Sequence, residues 1–185
     1  MTAAATYTAS PTRYADSVIT LHWVTALLIV AVYVSMELRE FFPKGSAPRE
    51  GMKTLHYMLG LTVFALVAVR IVSHVLSTRP AILPSPPAWQ LLAARVMHVA
   101  LIAFMIAMPI LGWLILSAEG HAIPFWGFEL PPLVASDKPF AKEIEEIHET
   151  LGNVGYYLIG AHAAAALLHH YVLGDNTLQR MLPRR

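Results

Sequence analysis

Four histidines, His22, His56, His148 and His162, sit in stretches otherwise dominated by Leu, Val, Ile, Ala and Gly. Ionisable side chains in so apolar a setting are costly and mark a functional site. Neutral imidazole is a metal ligand through one ring nitrogen and a hydrogen-bonding group through the other. The 185 residues include no cysteine. That excludes disulfides, thiolate metal sites, iron–sulfur clusters and c-type haem attachment. A redox metal or cofactor must therefore be held by histidine, methionine, tyrosine or carboxylate. His148 and His162 are 14 residues apart, just under four helical turns. On one helix they point to nearly the same side, about 21 Å from each other. One helix thus offers one ligand near each of its ends.

Such ligands need helices that span a bilayer. The chain is 56% hydrophobic and 14% charged, against about 25% charged in soluble domains. Its mean hydropathy is +0.54. Four stretches are long and apolar enough to cross a hydrocarbon core: 17–38, 53–76, 91–117 and 146–172, the third interrupted by Pro109 and Gly112. The expected fold is all-α, an integral membrane four-helix bundle. Residues 1–13 read as a cytoplasmic tail and 14–185 as one transmembrane domain. The N-terminus lacks the basic start, short apolar core and small-residue cleavage site of a signal peptide, so the first span is expected to be retained. The connector 80–87, "PAILPSPP", cannot be helical. Residues 119–145 read as an ordered external loop with an interfacial aromatic cap at Phe125, Trp126 and Phe128. The net charge is +1, and no basic run interleaves with aromatics. Membrane lipid, not nucleic acid, is the expected environment.

Lys and Arg near span ends set the orientation. Arg13, Arg79, Arg180, Arg184 and Arg185 share one side, with Arg70 and Arg95 just inside the spans. Arg39, Lys44, Arg49, Lys53, Lys138 and Lys142 share the other, with most of the acids. Both termini are expected in the cytoplasm. His56 and His148 then lie level near the outer face, and His22 and His162 nearer the inner one. Two bis-histidine sites stack across the bilayer, the arrangement of two b-type haems held between bundle helices. His98 could replace His162 as the partner of His22, or could pack or contact a propionate. Gly60 and Gly152 each follow an outer ligand by four residues on the same face, leaving room for a flat macrocycle. Gly155, Gly160 and the neighbouring alanines extend that smooth surface. Small residues also simply let helices pack closely. Arg70 suits a haem propionate or plain anchoring at the membrane surface. His169 and His170 suit a quinone contact and proton transfer, or ordinary interfacial polarity. His74 and His121 read as solvated, and the eight methionines as core filler.

The segments "SVITLHW", "LHYMLG" and "EIHETLGNVGYYLIGAHAAAALLHHYVLGDNTLQRMLPR" resemble the bacterial di-haem cytochrome b-561 family, and most of all its superoxide oxidase subgroup. The resemblance covers residues 14–185. It implies a four-helix bundle with two haem b groups in the bacterial inner membrane. It implies His22 and His162 as iron ligands of the inner haem, and His56 and His148 of the outer one. It also implies a superoxide:ubiquinone oxidoreductase that makes dioxygen and quinol. The lack of long cytoplasmic tails suits a self-contained enzyme, so no obligate protein partner is expected. An anionic substrate calls for positive potential. The third loop carries Asp137, Glu143, Glu145 and Glu146 beside Lys138 and Lys142, so steering is expected to be local to the first loop and to Lys138 or Lys142. Two other readings compete. A membrane anchor and electron-relay subunit for a dehydrogenase or hydrogenase would share the haem ligands. A histidine-lined metal transporter would want carboxylates beside the imidazoles, and none lies deep in a span.

Overall fold

A computed structural model describes residues 12–183. Four helices dominate it: α1 Asp16–Arg39, α2 Ala47–Leu76, α3 Ala88–Glu119 and α4 Lys138–Tyr171. Each is long and apolar enough to cross a membrane. Leu27, Val30, Val72 and Val99 are exposed on their outer faces, as expected of a surface that lipid covers. This is the all-α membrane bundle that the hydropathy pattern predicts. Most of the expected 1–13 tail lies outside the described residues, as do Arg184 and Arg185.

All four helices start earlier than their apolar spans, α2 and α4 by more than a turn, because caps rather than hydropathy fix helix starts. Pro48 and Pro139 stand in the first turns of α2 and α4, where a missing N–H costs nothing. The Asp137 carboxylate accepts the Phe140 N–H at 3.1 Å, an N-cap bond. The expected interruption of α3 is absent: the helix runs unbroken through Pro109 and Gly112, as membrane helices supported by neighbours can. It ends at Gly120, φ 76°, where the His121 N–H reaches the Leu116 carbonyl at 2.9 Å. That is a Schellman-type stop.

The first three helices close on Val63, Val67 and Met105, with Leu28, Ile29, Val32, Leu101 and Phe104 around them. α4 packs along α3, but its backbone stays apart from α1 and α2. Side chains cross that gap. The Tyr33 hydroxyl donates to the Gly152 carbonyl at 2.8 Å, and the Tyr156 hydroxyl donates to the Glu37 carboxylate at 2.7 Å. The two tyrosine rings lie 4.3 Å apart between centroids. A Cβ on Gly155 would collide with the Tyr33 hydroxyl and the Phe104 ring. Gly155 is therefore a close-approach point between helices, and not part of the open surface expected from the sequence.

Residues 123–130 form a hairpin rather than a loop. Strands β1 Ile123–Phe125 and β2 Phe128–Leu130 pair antiparallel. Trp126 (φ 47°) and Gly127 (φ 91°) turn between them, the backbone signs of a type I′ turn. Ile123 packs with Leu61 and Leu116, and the Trp126 Nε1–H donates to the Thr62 hydroxyl at 2.9 Å. The hairpin thus lies against the flank of α2 and α3. Thr62 is about 9 Å beyond His56 along α2, so the aromatic cap reaches down the span instead of sitting above it.

The end that carries both termini, called inner below, is closed by the chain after α4. Asn176 exchanges hydrogen bonds with Leu83: its Oδ1 accepts the Leu83 N–H at 2.9 Å, and its own N–H reaches the Leu83 carbonyl at 3.1 Å. Arg180 is buried, donates to the Pro80 carbonyl at 2.6 Å and lies over the Tyr14 ring. The Trp23 Nε1–H donates to the Met181 carbonyl at 2.7 Å. The connector 80–87 is irregular as expected, with a cis Leu83–Pro84 bond.

Candidate functional site

α4 carries His148, Gly155, His162 and His169 at seven-residue intervals. A straight helix drifts only about 20° per seven residues, so the four form one stripe. α1 and α2 face that stripe across the gap.

At the outer end, His56 of α2 faces His148, with ring centroids 6.2 Å apart and planes at 74°. The His56 Nδ1–H has the Val32 carbonyl of α1 as its acceptor at 3.1 Å. That fixes the proton on Nδ1 and leaves Nε2 with a lone pair, the state a ligand needs. His148 Nδ1 is buried without a partner at full hydrogen-bond geometry; the Met108 carbonyl of α3 is its nearby acceptor. A Cβ on Gly112 would touch the His148 ring at 3.6 Å. The sequence reading took Gly112 for a helix interruption, and its place against His148 was missed. No spacing rule points across from α3 to α4.

At the inner end, His22 of α1 faces His162, with centroids 6.3 Å apart and planes at 61°. His98 of α3 also approaches His162, at 5.5 Å, and its Nδ1–H has the Ala94 carbonyl one turn back, at 2.6 Å. Arg70 donates to His22 Nδ1 at 3.0 Å. A guanidinium has no acceptor, so in this arrangement the His22 proton is on Nε2.

A metal bound to two opposed imidazoles, with bonds of about 2.0 Å, holds the ring centroids about 6 Å apart. Both facing pairs, at 6.2 and 6.3 Å, have that separation. The His98–His162 pair is tighter. The donor set is all imidazole, which suits a six-coordinate haem iron. A Cβ on Gly60 would meet nothing within 4 Å, and one on Gly152 would meet only the Met108 methyl at 3.8 Å. The residues present therefore fit a flat group between α4 and the α1–α2 face. His22, His56, His148 and His162 could hold its iron.

The two inner-end histidines part company. The His169 Nδ1 is 2.5 Å from a carboxylate oxygen of Asp175, and Asp175 is only 5% exposed. The other Asp175 oxygen accepts the Thr177 N–H at 2.8 Å. Burial alone would raise this carboxyl, but the hydrogen bonds from His169 and Thr177 outweigh it and hold it below the ordinary range. The sequence reading missed Asp175, although it stands six residues after His169. His170 turns about 100° away. Its Nδ1 is buried without a partner, and its ring lies edge-on to Tyr171. His74 is half-buried against Tyr14, and His121 is exposed and paired with Glu119 at 3.1 Å.

The outer cations are largely neutralised. Arg39 and Arg49 both bind Glu40, at 2.8 and 3.0 Å. Those hydrogen bonds keep the exposed Glu40 carboxyl below its ordinary range. Lys53 pairs with Glu50, and Lys142 with Glu145 and Glu146. Among the described residues, Lys44 and Lys138 have no ion-pair partner.

The model of the prokaryotic cytochrome b561 family matches residues 13–184. The chain belongs to that family. This cytochrome b561 is 43% identical over 173 residues to "Cytochrome b561 homolog 1" of Escherichia coli (strain K12), covering 94% of this chain and 98% of the relative. It is 36% identical over 173 residues to "Probable superoxide oxidase CybB" of Yersinia pestis, covering 94% and 97%. It is 29% identical over 177 residues to "Cytochrome b561 homolog 2" of Escherichia coli (strain K12), covering 95% and 94%. Cytochrome b561 proteins are multi-pass membrane proteins that bind haem b and serve electron transport.

Proposed function

We propose that this cytochrome b561 holds two haem b groups and oxidises superoxide at its outer face, delivering the electrons to ubiquinone. The observation that carries the reading is the two facing histidine pairs, equal in separation and set on one stripe of α4. When bound, the haems supply one-electron chemistry at both ends of the bundle. His56 and His148 would ligate the outer one and His22 and His162 the inner one. Gly60 and Gly152 keep the space beside the outer ligands clear. The Val32 carbonyl orients His56. Arg70 now donates to His22 Nδ1; holding an iron on Nε2 would call for the proton on Nδ1 instead, and an anionic group of the cofactor would offer the guanidinium an acceptor of the right charge. Lys44 and Lys138 supply the local attraction for an anion. The balanced reaction takes two superoxide ions, one quinone and two protons to two dioxygen and one quinol. His169 and His170 stand where proton transfer to quinone would occur. The name of the Yersinia pestis relative supports this reaction over others of the family. The proposal includes a bacterial inner-membrane location with both termini cytoplasmic and residues 14–185 as the haem domain.

The test is the purified protein in detergent, with haem counted per chain and spectra taken oxidised, reduced, and after a pulse of superoxide. Two low-spin b haems reduced within the mixing time support the proposal. Two haems that ignore superoxide move the function to an electron-relay subunit for a partner dehydrogenase or hydrogenase. A chain without haem overturns the ligand assignment.

A further inference from the structure

Asp175 is the one buried carboxylate among the described residues, and it is spent on a histidine. Its two oxygens have separate duties: one meets His169 Nδ1 at 2.5 Å, the other the Thr177 N–H at 2.8 Å. The Asp175 N–H also returns to the His169 carbonyl at 3.1 Å. These contacts fix the imidazole so that Nδ1 bears the proton facing the carboxylate. Nε2 has no hydrogen-bond partner among the described residues. His169 lies on the stripe of His148 and His162, two turns and about 10 Å inside His162. The His169 side chain keeps 19% of its surface exposed and its Nδ1 is taken by the carboxylate, so Nε2 is the ring nitrogen left for a ligand at this end. The segment that carries Asp175 is held by Asn176 on Leu83, Arg180 on Pro80 and Trp23 on Met181, so the carboxylate is pinned from three directions. The other titratable or charged groups of this end are His170 on α4, His74 and Arg79 at the exit of α2, Arg95 and His98 on α3, Asp16 on α1, and Arg13, Tyr14 and Arg180 in the terminal segments.

We infer that His169 and Asp175 form a proton-donating dyad for the quinone, with His169 Nε2 as the donor and Asp175 as the positioning residue. The inference rests on the quinone reading above. Reducing a quinone to quinol takes two electrons and two protons. In the proposed reaction each electron comes from a superoxide ion that leaves as dioxygen. At each protonation the His169 Nε2–H bond breaks, an O–H bond forms on the quinone oxygen, and water at the inner face restores the imidazolium proton. Asp175 stabilises the imidazolium through the Nδ1–H bond and does not itself give up a proton. Groups so placed contribute roughly 100-fold or more to proton-transfer rates.

The experiment is stopped-flow oxidation of dithionite-reduced, haem-loaded protein by ubiquinone-1, across pH, for wild type, Asp175→Asn, Asp175→Glu and His169→Gln. Superoxide plays no part in it, so a failure of the superoxide reading leaves the test intact. The expected result is a fall of at least 10-fold in the maximal rate for Asp175→Asn and His169→Gln, with the half-saturating quinone concentration little changed. Without the carboxylate the imidazolium is less favoured, so the alkaline limb of the Asp175→Asn profile moves to lower pH. Asp175→Glu recovers most of the rate, and all variants keep the wild-type haem content and spectrum. Unchanged rates and pH profile in both Asp175→Asn and His169→Gln overturn the dyad. So does equal loss of haem from Asp175→Asn and Asp175→Glu, which would make the carboxylate a structural tie. If ubiquinone-1 does not oxidise the wild type, the quinone reading itself fails and takes the dyad with it.

Discussion

Gly155→Ala tests whether α4 is held off α1 and α2 by a defined contact. Gly155 lies midway between His148 and His162 on the histidine stripe of α4. An added Cβ meets the Tyr33 hydroxyl and the Phe104 ring at impossible range. Neither gives way freely: Tyr33 is bonded to the Gly152 carbonyl and packed on Tyr156, and Phe104 sits against the Val63–Val67–Met105 core. Overpacking of this kind costs about 1–3 kcal/mol, and losing the Tyr33 hydrogen bond adds about 1 kcal/mol. Alanine returns about 1 kcal/mol through helix propensity. The net expectation is a loss of about 1–3 kcal/mol, or roughly 3–10 °C in midpoint for a chain of this length. Thermal unfolding of the haem-loaded protein in detergent reads it, with Gly160→Ala as the control because a Cβ there meets nothing within 4 Å. In a Tyr33→Phe background the penalty should shrink by about 1 kcal/mol, since the hydroxyl is gone and only Phe104 remains in the way. Equal midpoints for Gly155→Ala and Gly160→Ala would refute the contact, as would a penalty that Tyr33→Phe leaves untouched.

On the two-haem proposal, replacing either member of one histidine pair, His56→Ala or His162→Ala for instance, should lower haem from two to about one per chain while the other site keeps its low-spin spectrum; pyridine haemochrome assay with protein quantification reads this. Asp175 has a folded-state carboxyl below its unfolded value. Its stabilisation of the inner cap is thus present above the ordinary carboxylate range and lost as pH falls through the lowered value. Limited proteolysis of the C-terminal segment should rise over that acid window in wild type. Trp126 should be quenched by lipids brominated in the upper acyl chain when the protein is in nanodiscs, because its hairpin lies along α2 at Thr62; quenching confined to water-soluble agents would put the hairpin outside the bilayer.

Much of the site could be read in the linear chain because helices are periodic. Fourteen residues between His148 and His162 fix a face and a separation wherever the helix sits. The apolar runs fix four crossings, which bring His22 level with His162 and His56 level with His148. The loop after α3 was harder. A short aromatic stretch with Pro and Gly carries no periodicity, and its docking on Leu61 and Leu116 depends on side chains far away in sequence. Gly155 shows the same limit. A glycine four residues from one of these histidines and one seven residues from another look alike as letters, yet Gly60 faces open space and Gly155 is filled by Tyr33 and Phe104. Asp175 belongs to a segment that turns back after α4 ends, and nothing in helical spacing places its carboxylate on His169.

The sequence by itself determined the class of molecule, the four spans, the helix that carries each of the paired histidines and the absence of thiolate chemistry, because burial in lipid and helical periodicity act on composition and spacing alone. The tertiary structure decided which rings face each other, that α4 keeps its distance from α1 and α2, that Arg70 holds His22, and that Asp175 orients His169. Those facts depend on how separate helices dock. Docking is governed by shape and hydrogen bonding between residues up to 100 positions or more apart, such as Tyr33 and Gly152, which are 119 positions apart, and no local rule carries that information.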